Sequence, residues 1–408
     1  MSNAQVAPRR WRGAALAVGV GLLAATSWPA GAGPVAYDYS LIADTNMPGF
    51  LDFSTPSVGD DGSVGFYAYL GGGGKAIYRG TTAGTTLVTT QGLTALQTRT
   101  AVDAAGRVIY SYSSPGSIWR GTSTADAALV VDGSVGSLFN GVFGANVSAA
   151  NGAVYFTGGR RIAAGGGSGV FSKADDGTIT TFSLSTSPIH GTPAAVAAND
   201  SGQVVFLAQR DGGGQGLYRV VNGVLTELVA AATSQFSLLG APNIDDNGVV
   251  TFFSYLDGGG LANGMYRIEN GVLSTIADST GPFAFFGGPT AVNDDEIAFF
   301  ANMDAGWTGI FTGGDPVNDL VIRTGDMLFG RTISQLSVWE NGLNERGQLA
   351  FRAGFTDGSS AIVLATPPAP PAAVPEPGSF AILMLAAAAL PLLQRAPQRL
   401  KVECKRDR

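Results

Sequence analysis

Apolar residues along this chain come in short runs that begin directly after a polar turn. The stretch Asn199 to Phe206 shows the pattern most cleanly, because Asn-Asp-Ser-Gly-Gln precedes Val-Val-Phe. Runs of this length, rich in Val, Phe and Tyr, are typical of β-strands, and the sustained 3.6-residue spacing that helices need is missing. The pattern therefore predicts an all-β protein with many turns.

The polar turn recurs along nearly the whole body of the chain. Its glycine is present in six copies, and Glu296 takes the corresponding place in a seventh, degenerate copy. The six glycines are Gly62, Gly106, Gly152, Gly202, Gly248 and Gly347. Successive copies are 44 to 51 residues apart, which is long enough for four short strands. Seven such units predict a β-propeller, in which four-stranded blades surround a central channel.

Each unit follows one plan. An inner strand such as 204–208 follows the turn, and a glycine loop leads to a second strand at 217–219. Asn222-Gly223 and Asn270-Gly271 then precede a third strand in their units. Asn-Gly accepts positive φ at both central positions of a two-residue turn, so it predicts a hairpin. A fourth extended piece leads to the next turn.

The two ends of the body complete one unit between them. The last unit has strands at 348–351 and 361–364 before the chain reaches a proline-rich stretch. Residues 39–44 resemble the third strand at 273–278, and 49–58 then supplies a fourth. Sharing a blade would close the ring and remove exposed strand edges. We therefore expect residues 33–366 to form a seven-bladed propeller; an open β-solenoid and a ring of six or eight blades are the alternatives.

The net charge of −7 belongs to an acidic body between two more basic ends. An acidic surface repels nucleic acid and anionic lipid, so we expect no nucleic-acid partner. Such a surface is better suited to binding cations or neutral glycans, or to solubility alone.

The single cysteine, Cys404, lies in the final tail. The body therefore has neither a disulfide nor a thiol nucleophile.

The first 32 residues have the three parts of a secretory signal peptide. Arg9, Arg10 and Arg12 precede an apolar run at 14–25, and Ala30-Gly31-Ala32 follows. A small-residue site of this kind predicts cleavage after Ala32. A retained membrane anchor is the alternative, but the apolar run is shorter than the roughly 20 residues that span a bilayer.

The other end carries a proline-rich linker at 367–374, then Pro375-Glu376-Pro377, an apolar run at 380–393 and Arg395. Residues 375–408 resemble the PEP-CTERM sorting segment of exported proteins of Gram-negative bacteria. The resemblance implies an exosortase in the inner membrane as a partner, transient membrane association through the apolar helix, and transfer to the cell surface or extracellular matrix. It also implies that the Pro-Glu-Pro tripeptide is the recognition motif and that Arg395 belongs to the basic cluster that follows the apolar helix on the cytoplasmic side.

The turn motif itself resembles the tandem repeat N-x-x-G-x-x-A-F of exported bacterial proteins. Residues 344–351, Asn-Glu-Arg-Gly-Gln-Leu-Ala-Phe, match it fully, and 199–206 match it except at Val205. The resemblance implies an architecture and a surface anchor. It implies no enzymatic activity.

Catalytic chemistry has little support in the sequence. His190 is the single histidine, so a Ser-His-Asp relay would have to use it, and the nucleophile motif Gly-x-Ser-x-Gly is missing. We assign no catalytic residue and expect His190 to be a loop residue. The glycine runs at 71–74 and 165–167 lack the Lys-Ser/Thr ending of a phosphate-binding loop and are expected to be blade loops.

Carboxylates recur at equivalent turns, as Asp60-Asp61, Asp245-Asp246 and 294–296. A ring of blades brings equivalent turns to one face, where clustered oxygens could bind calcium. The alternative is that Asp and Asn side chains bond their own turn backbone; we favour it and assign no metal ligand and no cofactor.

Five aromatic residues could form a sugar-stacking platform or pack in the core. These are Phe283, Phe285, Phe286, Trp307 and Trp339.

Two functions follow as hypotheses. The first is an exported, surface-sorted, non-catalytic propeller with a binding or structural role, with extracellular polysaccharide as a partner to consider. The second is a secreted carbohydrate-active enzyme that uses a pair of acidic residues at the propeller face. Functional residues are expected where the copies differ, first at Glu296 and His190.

Overall fold

The computed structural model describes residues 36–368, apart from 91–95, 114–115, 148–151, 162–163, 187, 259, 289–290 and 294–295. The predicted signal peptide with Ala30 and Ala32 lies outside these residues, as does the predicted sorting segment with Pro375, Glu376, Pro377 and Arg395. Among the residues that are described, no helix is long and apolar enough to cross a membrane.

The described strands form seven antiparallel sheets, which are the seven blades of a β-propeller. Strand β1 (Asp38–Asp44) belongs to the last blade. The first blade contains β2 (Phe50–Phe53), β3 (Ser57–Val58), β4 (Val64–Leu70), β5 (Lys75–Thr81) and β6 (Gly84–Thr89). The second contains β7 (Leu96–Val102), β8 (Val108–Tyr112), β9 (Ser117–Gly121) and β10 (Ala128–Val131). The third contains β11 (Phe139–Val147), β12 (Val154–Arg160), β13 (Ser168–Lys173) and β14 (Ile179–Leu184).

The remaining blades repeat the plan. The fourth contains β15 (Ile189–Ala198), β16 (Val204–Arg210), β17 (Gln215–Val221) and β18 (Val224–Ala230). The fifth contains β19 (Phe236–Ile244), β20 (Val250–Leu256), β21 (Asn263–Glu269) and β22 (Val272–Asp278). The sixth contains β23 (Phe283–Phe286), β24 (Ala291–Asn293), β25 (Glu296–Met303), β26 (Thr308–Phe311) and β27 (Leu320–Arg323). The seventh contains β28 (Met327–Leu328), β29 (Arg331–Ser337), β30 (Leu349–Phe355) and β31 (Ser360–Thr366), with β1 as its outer strand. Among the described residues, short 3-10 turns lie at Gly71–Gly73 and Ala231–Thr233.

The ring is closed by both ends of the described chain, as predicted. Strand β1 pairs antiparallel with β31, so that Leu41 lies opposite Val363 and Asp44 opposite Ala361. Residues 49–58, predicted as another strand of this blade, instead pair with β4 of the first blade. That part of the prediction was wrong, because the sequence repeat is offset from the blade by one strand: the piece before each turn belongs to the same sheet as the strand after it.

The turn glycine has a conformational role. In the fourth blade Asn199 and Gln203 pair across a three-residue loop, and Gly202 in that loop has φ +72°. Such a loop needs a left-handed backbone conformation at its third position, and glycine adopts this conformation without strain. The sixth blade differs, since Asn293 pairs directly with Glu296 across two residues. Glu296 therefore begins β25 and does not stand at a turn glycine position, which corrects the predicted alignment.

The phenylalanine of the motif forms the blade core. Phe206 on β16 lies opposite Tyr218 on β17, their ring centroids are 5.6 Å apart, and both side chains are fully buried. Four other blades repeat the contact between second and third strand, at Phe66–Tyr78, Phe156–Phe171, Phe252–Tyr266 and Phe299–Phe311. Aromatic side chains bury large apolar areas, so this repeated pair stabilises each blade.

The predicted Asn-Gly hairpins are confirmed. Asn222 and Gly223 have φ +51° and +78°, and Asn270 and Gly271 have +50° and +78°. Each pair joins the third strand of its blade to the fourth. Positive φ at both central residues matches the right-handed twist of the flanking strands.

Candidate functional site

The first residue of the turn motif supports its own turn. The side-chain Oδ1 of Asn199 accepts a hydrogen bond of 2.9 Å from the backbone N–H of Gln203. Asp245 accepts the equivalent bond from Val249 at 2.7 Å. Asn199 and Asp245 therefore bond their own turn backbone, as Asn and Asp side chains do in tight turns.

The same asparagine also joins neighbouring blades. Its Nδ2 donates to the backbone carbonyl oxygen of Asp245 in the fifth blade at 2.9 Å, and Asn199 itself is buried. Asn344 of the seventh blade repeats the arrangement, with Nδ2 donating to the carbonyl oxygen of Gly59 in the first blade at 2.8 Å. An Asp at this position could support the turn but could not donate, so Asn has a second role that the sequence pattern did not reveal.

The second residue of the turn faces its counterpart in a neighbouring blade. The backbone N–H of Asp200 donates to Asp246 Oδ1 at 2.8 Å. The backbone N–H of Glu345 donates to Asp60 Oδ1 at 3.0 Å. These bonds orient the carboxylates along the ring and bring four acidic side chains from four blades to one end of the central channel.

Three of these carboxylates form a close cluster. One carboxylate oxygen from each of Asp200, Asp246 and Glu345 lies within 4.8 Å of the others. We call these three residues the axial triad. Asp60 lies beside it through its bond with Glu345. Like charges at this spacing disfavour full ionisation of the group.

The electrostatics of the cluster show this effect. Burial and the negative charge of Asp60, together with Asp246 and Asp200, raise the pKa of the Glu345 carboxyl to about 7. Burial also raises the pKa of Asp60; the charge of Asp200 adds to this rise, and the hydrogen bond from the Glu345 N–H opposes it. The cluster therefore favours a proton or a cation near neutral pH.

A cavity of about 100 Å³ lies on the axis at this end of the channel. The axial triad and Asp60 line it, together with the ends of the first strands of several blades. Glu340 also lines it; this side chain is only 9% exposed, and its Oε1 has no hydrogen-bond partner among the described residues. Burial raises the pKa of the Glu340 carboxyl, and the positive charge of Arg99 opposes that rise.

Glu340 belongs to an irregular stretch, residues 338–343, which we call the axial segment. It separates β29 from the turn of the seventh blade, whereas in the fifth blade the first strand leads straight into the turn. The carbonyl oxygen of Glu340 accepts a bond from Asn243 Nδ2 of the fifth blade at 3.0 Å. Asn341 bonds the backbone of Val58 in the first blade and of Thr100 in the second. The segment thus extends from the seventh blade to three others near the axis.

Sequence reasoning found part of this site. Asp60 and Asp246 were among the predicted carboxylates and do meet at the axis. Asp61 instead pairs with Arg79 at 2.8 Å, and Asp245 is a buried turn residue. The pair 294–295 lies outside the described residues. Three members of the site were missed, namely Asp200, Glu345 and Glu340. The first two share the second position of the turn with Asp60 and Asp246, which was the available signal.

The other singled-out residues do not line the cavity. His190 lies in strand β15, exposed and opposite Gln209, so its prediction as a loop residue was wrong. Phe283 and Phe286 are buried in the core of the sixth blade, and Trp307 packs against Phe311 there. Trp339 lies in the axial segment, with the Arg99 guanidinium 4.7 Å above its ring. The glycines at 71–73 lie between β4 and β5, as expected of a blade loop.

Comparison with known proteins gives limited matches. A sequence profile of DUF7453, a family of unknown function, matches residues 331–381. No curated protein matches the chain. A catalytically inactive virginiamycin B lyase from Staphylococcus aureus is similar at 13% identity and a TM-score of 0.45, covering 81% of this chain and 99% of that one. The β-propeller domain of the Trilobed protease from Pyrococcus furiosus is similar at 12% identity and a TM-score of 0.48, covering 65% of this chain and 80% of that one. A gluconolactonase from Xanthomonas campestris is similar at 13% identity and a TM-score of 0.39, covering 84% of this chain and 99% of that one. These likenesses concern the fold alone.

Proposed function

We propose that the protein is an exported, non-catalytic β-propeller that is sorted to the cell surface or extracellular matrix and has a binding or structural role there. An exosortase-type enzyme of the inner membrane is the proposed sorting partner. Membrane association is transient and uses the apolar run at 380–393. Extracellular polysaccharide is a proposed ligand class at the surface.

The observation that carries the proposal is the position of the closed ring within the chain. The ring begins with β1 at Asp38 and ends with β31 at Thr366. Both proposed processing sites, after Ala32 and near Pro375, lie outside it. Removal of both ends would leave every strand pair of the seventh blade in place. The sequence profile that matches 331–381 spans most of this blade, the linker and the Pro-Glu-Pro motif, which supports treating them as one unit.

The use of the repeat motif supports a non-catalytic role. Its Asn donates a hydrogen bond to the backbone of the neighbouring blade, its Gly has a left-handed backbone conformation in the turn, and its Phe packs in the blade core. Each of these roles is a folding role. A repeated motif whose residues have folding roles gives no support to a catalytic function for that motif.

The test uses cells that express the protein and the variant in which Pro375, Glu376 and Pro377 are changed to Ala. We expect wild-type protein at the surface or in the medium, and the variant held in the membrane fraction. A matched control replaces Pro367, Pro368 and Pro371 with Ala and is expected to behave as wild type. Intact wild-type protein in the cytoplasm would refute the proposal.

The alternative function is a secreted carbohydrate-active enzyme. The axial triad favours it, because its carboxylate oxygens lie within 4.8 Å of one another at a cavity, and retaining glycosidases use two carboxyl groups only about 5 to 5.5 Å apart. The test is turnover of a polysaccharide panel by wild type and by Glu345→Gln, with Asp257→Asn in an exposed loop as control. Activity that is lost only in Glu345→Gln would establish the enzyme and overturn the non-catalytic proposal.

A further inference from the structure

The axial cavity combines two independent features that point to a ligand. The first is the axial triad, whose carboxylates come from the fourth, fifth and seventh blades. They lie at the same position of the turn motif, so the ring itself brings them together. Asp60 of the first blade adds a fourth carboxylate beside Glu345.

The second feature is Glu340, which reaches the cavity from the axial segment and not from a turn. It is 9% exposed, and Oε1 has no hydrogen-bond partner among the described residues. A buried carboxylate oxygen without a partner costs free energy, and the large majority of buried side-chain polar atoms in native proteins have a partner in the protein or in ordered water. Glu340 and the triad line the same cavity of about 100 Å³.

We propose that this cavity binds one hard divalent cation of the size of calcium, with Asp200, Asp246 and Glu345 as ligands and Glu340 facing the ion from the interior. All four side chains offer oxygen atoms as ligands. Hard cations prefer oxygen ligands, whereas softer metals prefer sulfur or nitrogen. Calcium binds oxygen at about 2.3 to 2.6 Å, so two ligands of one ion lie at most about 5.2 Å apart. The triad oxygens, within 4.8 Å of one another, fall inside that limit.

Calcium suits the site better than magnesium. Magnesium needs a nearly ideal octahedron at about 2.1 Å and loses its own waters reluctantly, so it is seldom bound by a site made of protein oxygens alone. Calcium accepts irregular sets of six to eight oxygens, and backbone carbonyls and waters complete them. The bound ion would join three blades across the axis and offset the repulsion among their carboxylates.

The experiment is calorimetric titration of CaCl₂ into the purified, EDTA-treated protein, with thermal unfolding in parallel. We expect one ion per chain and a higher Tm with calcium. The double variant Asp246→Asn/Glu345→Gln is expected to weaken binding at least tenfold. Its Tm without calcium should equal or exceed that of wild type, because Asn and Gln keep the shape of the site and remove like charges. The matched control Asp257→Asn/Asp304→Asn, in loops at the other end of the blades, should bind as wild type.

Glu340→Gln tests the second feature by itself and is expected to weaken calcium binding severalfold while leaving the one-to-one ratio. Asp200→Asn repeats the main test if the double variant loses its native circular dichroism. No heat and no change in Tm with wild type would overturn the proposal. Unchanged binding in the folded triad variant would overturn the assigned ligands, and binding of MgCl₂ with calcium inert would overturn the choice of ion.

Discussion

Asn344 of the seventh blade donates its side-chain amide to the backbone carbonyl oxygen of Gly59 in the first blade, at 2.8 Å. The two residues are far apart in sequence and meet because the ring is closed. Asn199 makes the same bond to Asp245 between the fourth and fifth blades. The repeated turn is therefore a latch between neighbouring blades as well as a connection between strands.

The hydrogen bonds of the Asn199 side chain predict a loss of stability when this residue is replaced. Asn199→Ala removes both the turn bond to Gln203 and the bond to the Asp245 carbonyl in a buried setting. We expect a decrease of about 1 to 3 kcal/mol in the free energy of unfolding, since buried groups are left unpaired. Asn199→Asp keeps the turn acceptor but not the donor and should lie between wild type and Ala. Urea unfolding measures both, with the exposed Thr226→Ala as control; equal stability of Asn199→Ala and the control would contradict the latch.

Ring closure depends on a second contact between distant residues. Arg331 at the start of β29 forms an ion pair with Asp44 of β1, donates to Ser359 at 2.8 Å and lies 3.8 Å from the ring centroid of Phe355. Asp44 is only 5% exposed. Arg331→Met would leave a buried carboxylate without its partner, at a cost of about 3 kcal/mol.

The double variant Asp44→Asn/Arg331→Met should recover part of that loss, because no unpaired charge remains. The measurement is the urea midpoint of the wild type, the single variant and the double variant. A single variant as stable as wild type would show that this ion pair does not secure β1.

Asp52 links pH to stability. Burial raises the pKa of its carboxyl, but hydrogen bonds from Arg352, the Phe53 N–H and Ser360 outweigh this and hold the pKa below its usual value. A carboxyl with a lowered pKa in the folded state stabilises the protein above its unfolded pKa, and this contribution is lost as pH falls through the folded pKa.

The expected result is a difference in Tm between wild type and Asp52→Asn that is largest above about pH 5 and closes as pH falls below about pH 3. Arg352→Gln removes the largest lowering cause and should reduce the same pH dependence. Thermal unfolding between these pH values measures it. A difference in Tm that stays constant with pH would contradict the assignment.

The Asn-Gly hairpins give a test that separates backbone strain from contact. Gly271 has φ +78° and no atom within 4 Å of an added Cβ. Gly271→Ala should therefore cost about 1 to 2 kcal/mol through backbone conformation alone. Gly212 also has open space around it but no left-handed φ, so Gly212→Ala should be neutral or slightly stabilising. Equal stability of the two variants would contradict the turn conformation.

Much of the fold could be predicted from local sequence. The turn spacing predicted seven blades, and the Asn-Gly pairs predicted their outer hairpins, because both depend on residues close in sequence. Pairing between distant segments was harder. Residues 49–58 lie beside β4 because of the order of strands in the sheet, and alternating apolar residues do not say which sheet a strand joins.

The site was less predictable than the fold. The acidic second position of the turn is visible at Asp60, Asp200, Asp246 and Glu345, but their meeting at one point depends on the ring radius. The axial segment gives a weaker signal, the long interval before Gly347. Nothing local in the sequence indicates that Glu340 is buried, because its burial results from contacts with three other blades.

The most direct test of the central claim is the intact mass of the protein recovered from the cell surface or medium of its expressing cells. The proposed function predicts a mature chain that begins at Gly33 and ends close to Pro375, with the closed ring from Asp38 to Thr366 complete. Recovery from the surface of the full 408-residue chain, with both ends attached, would contradict it.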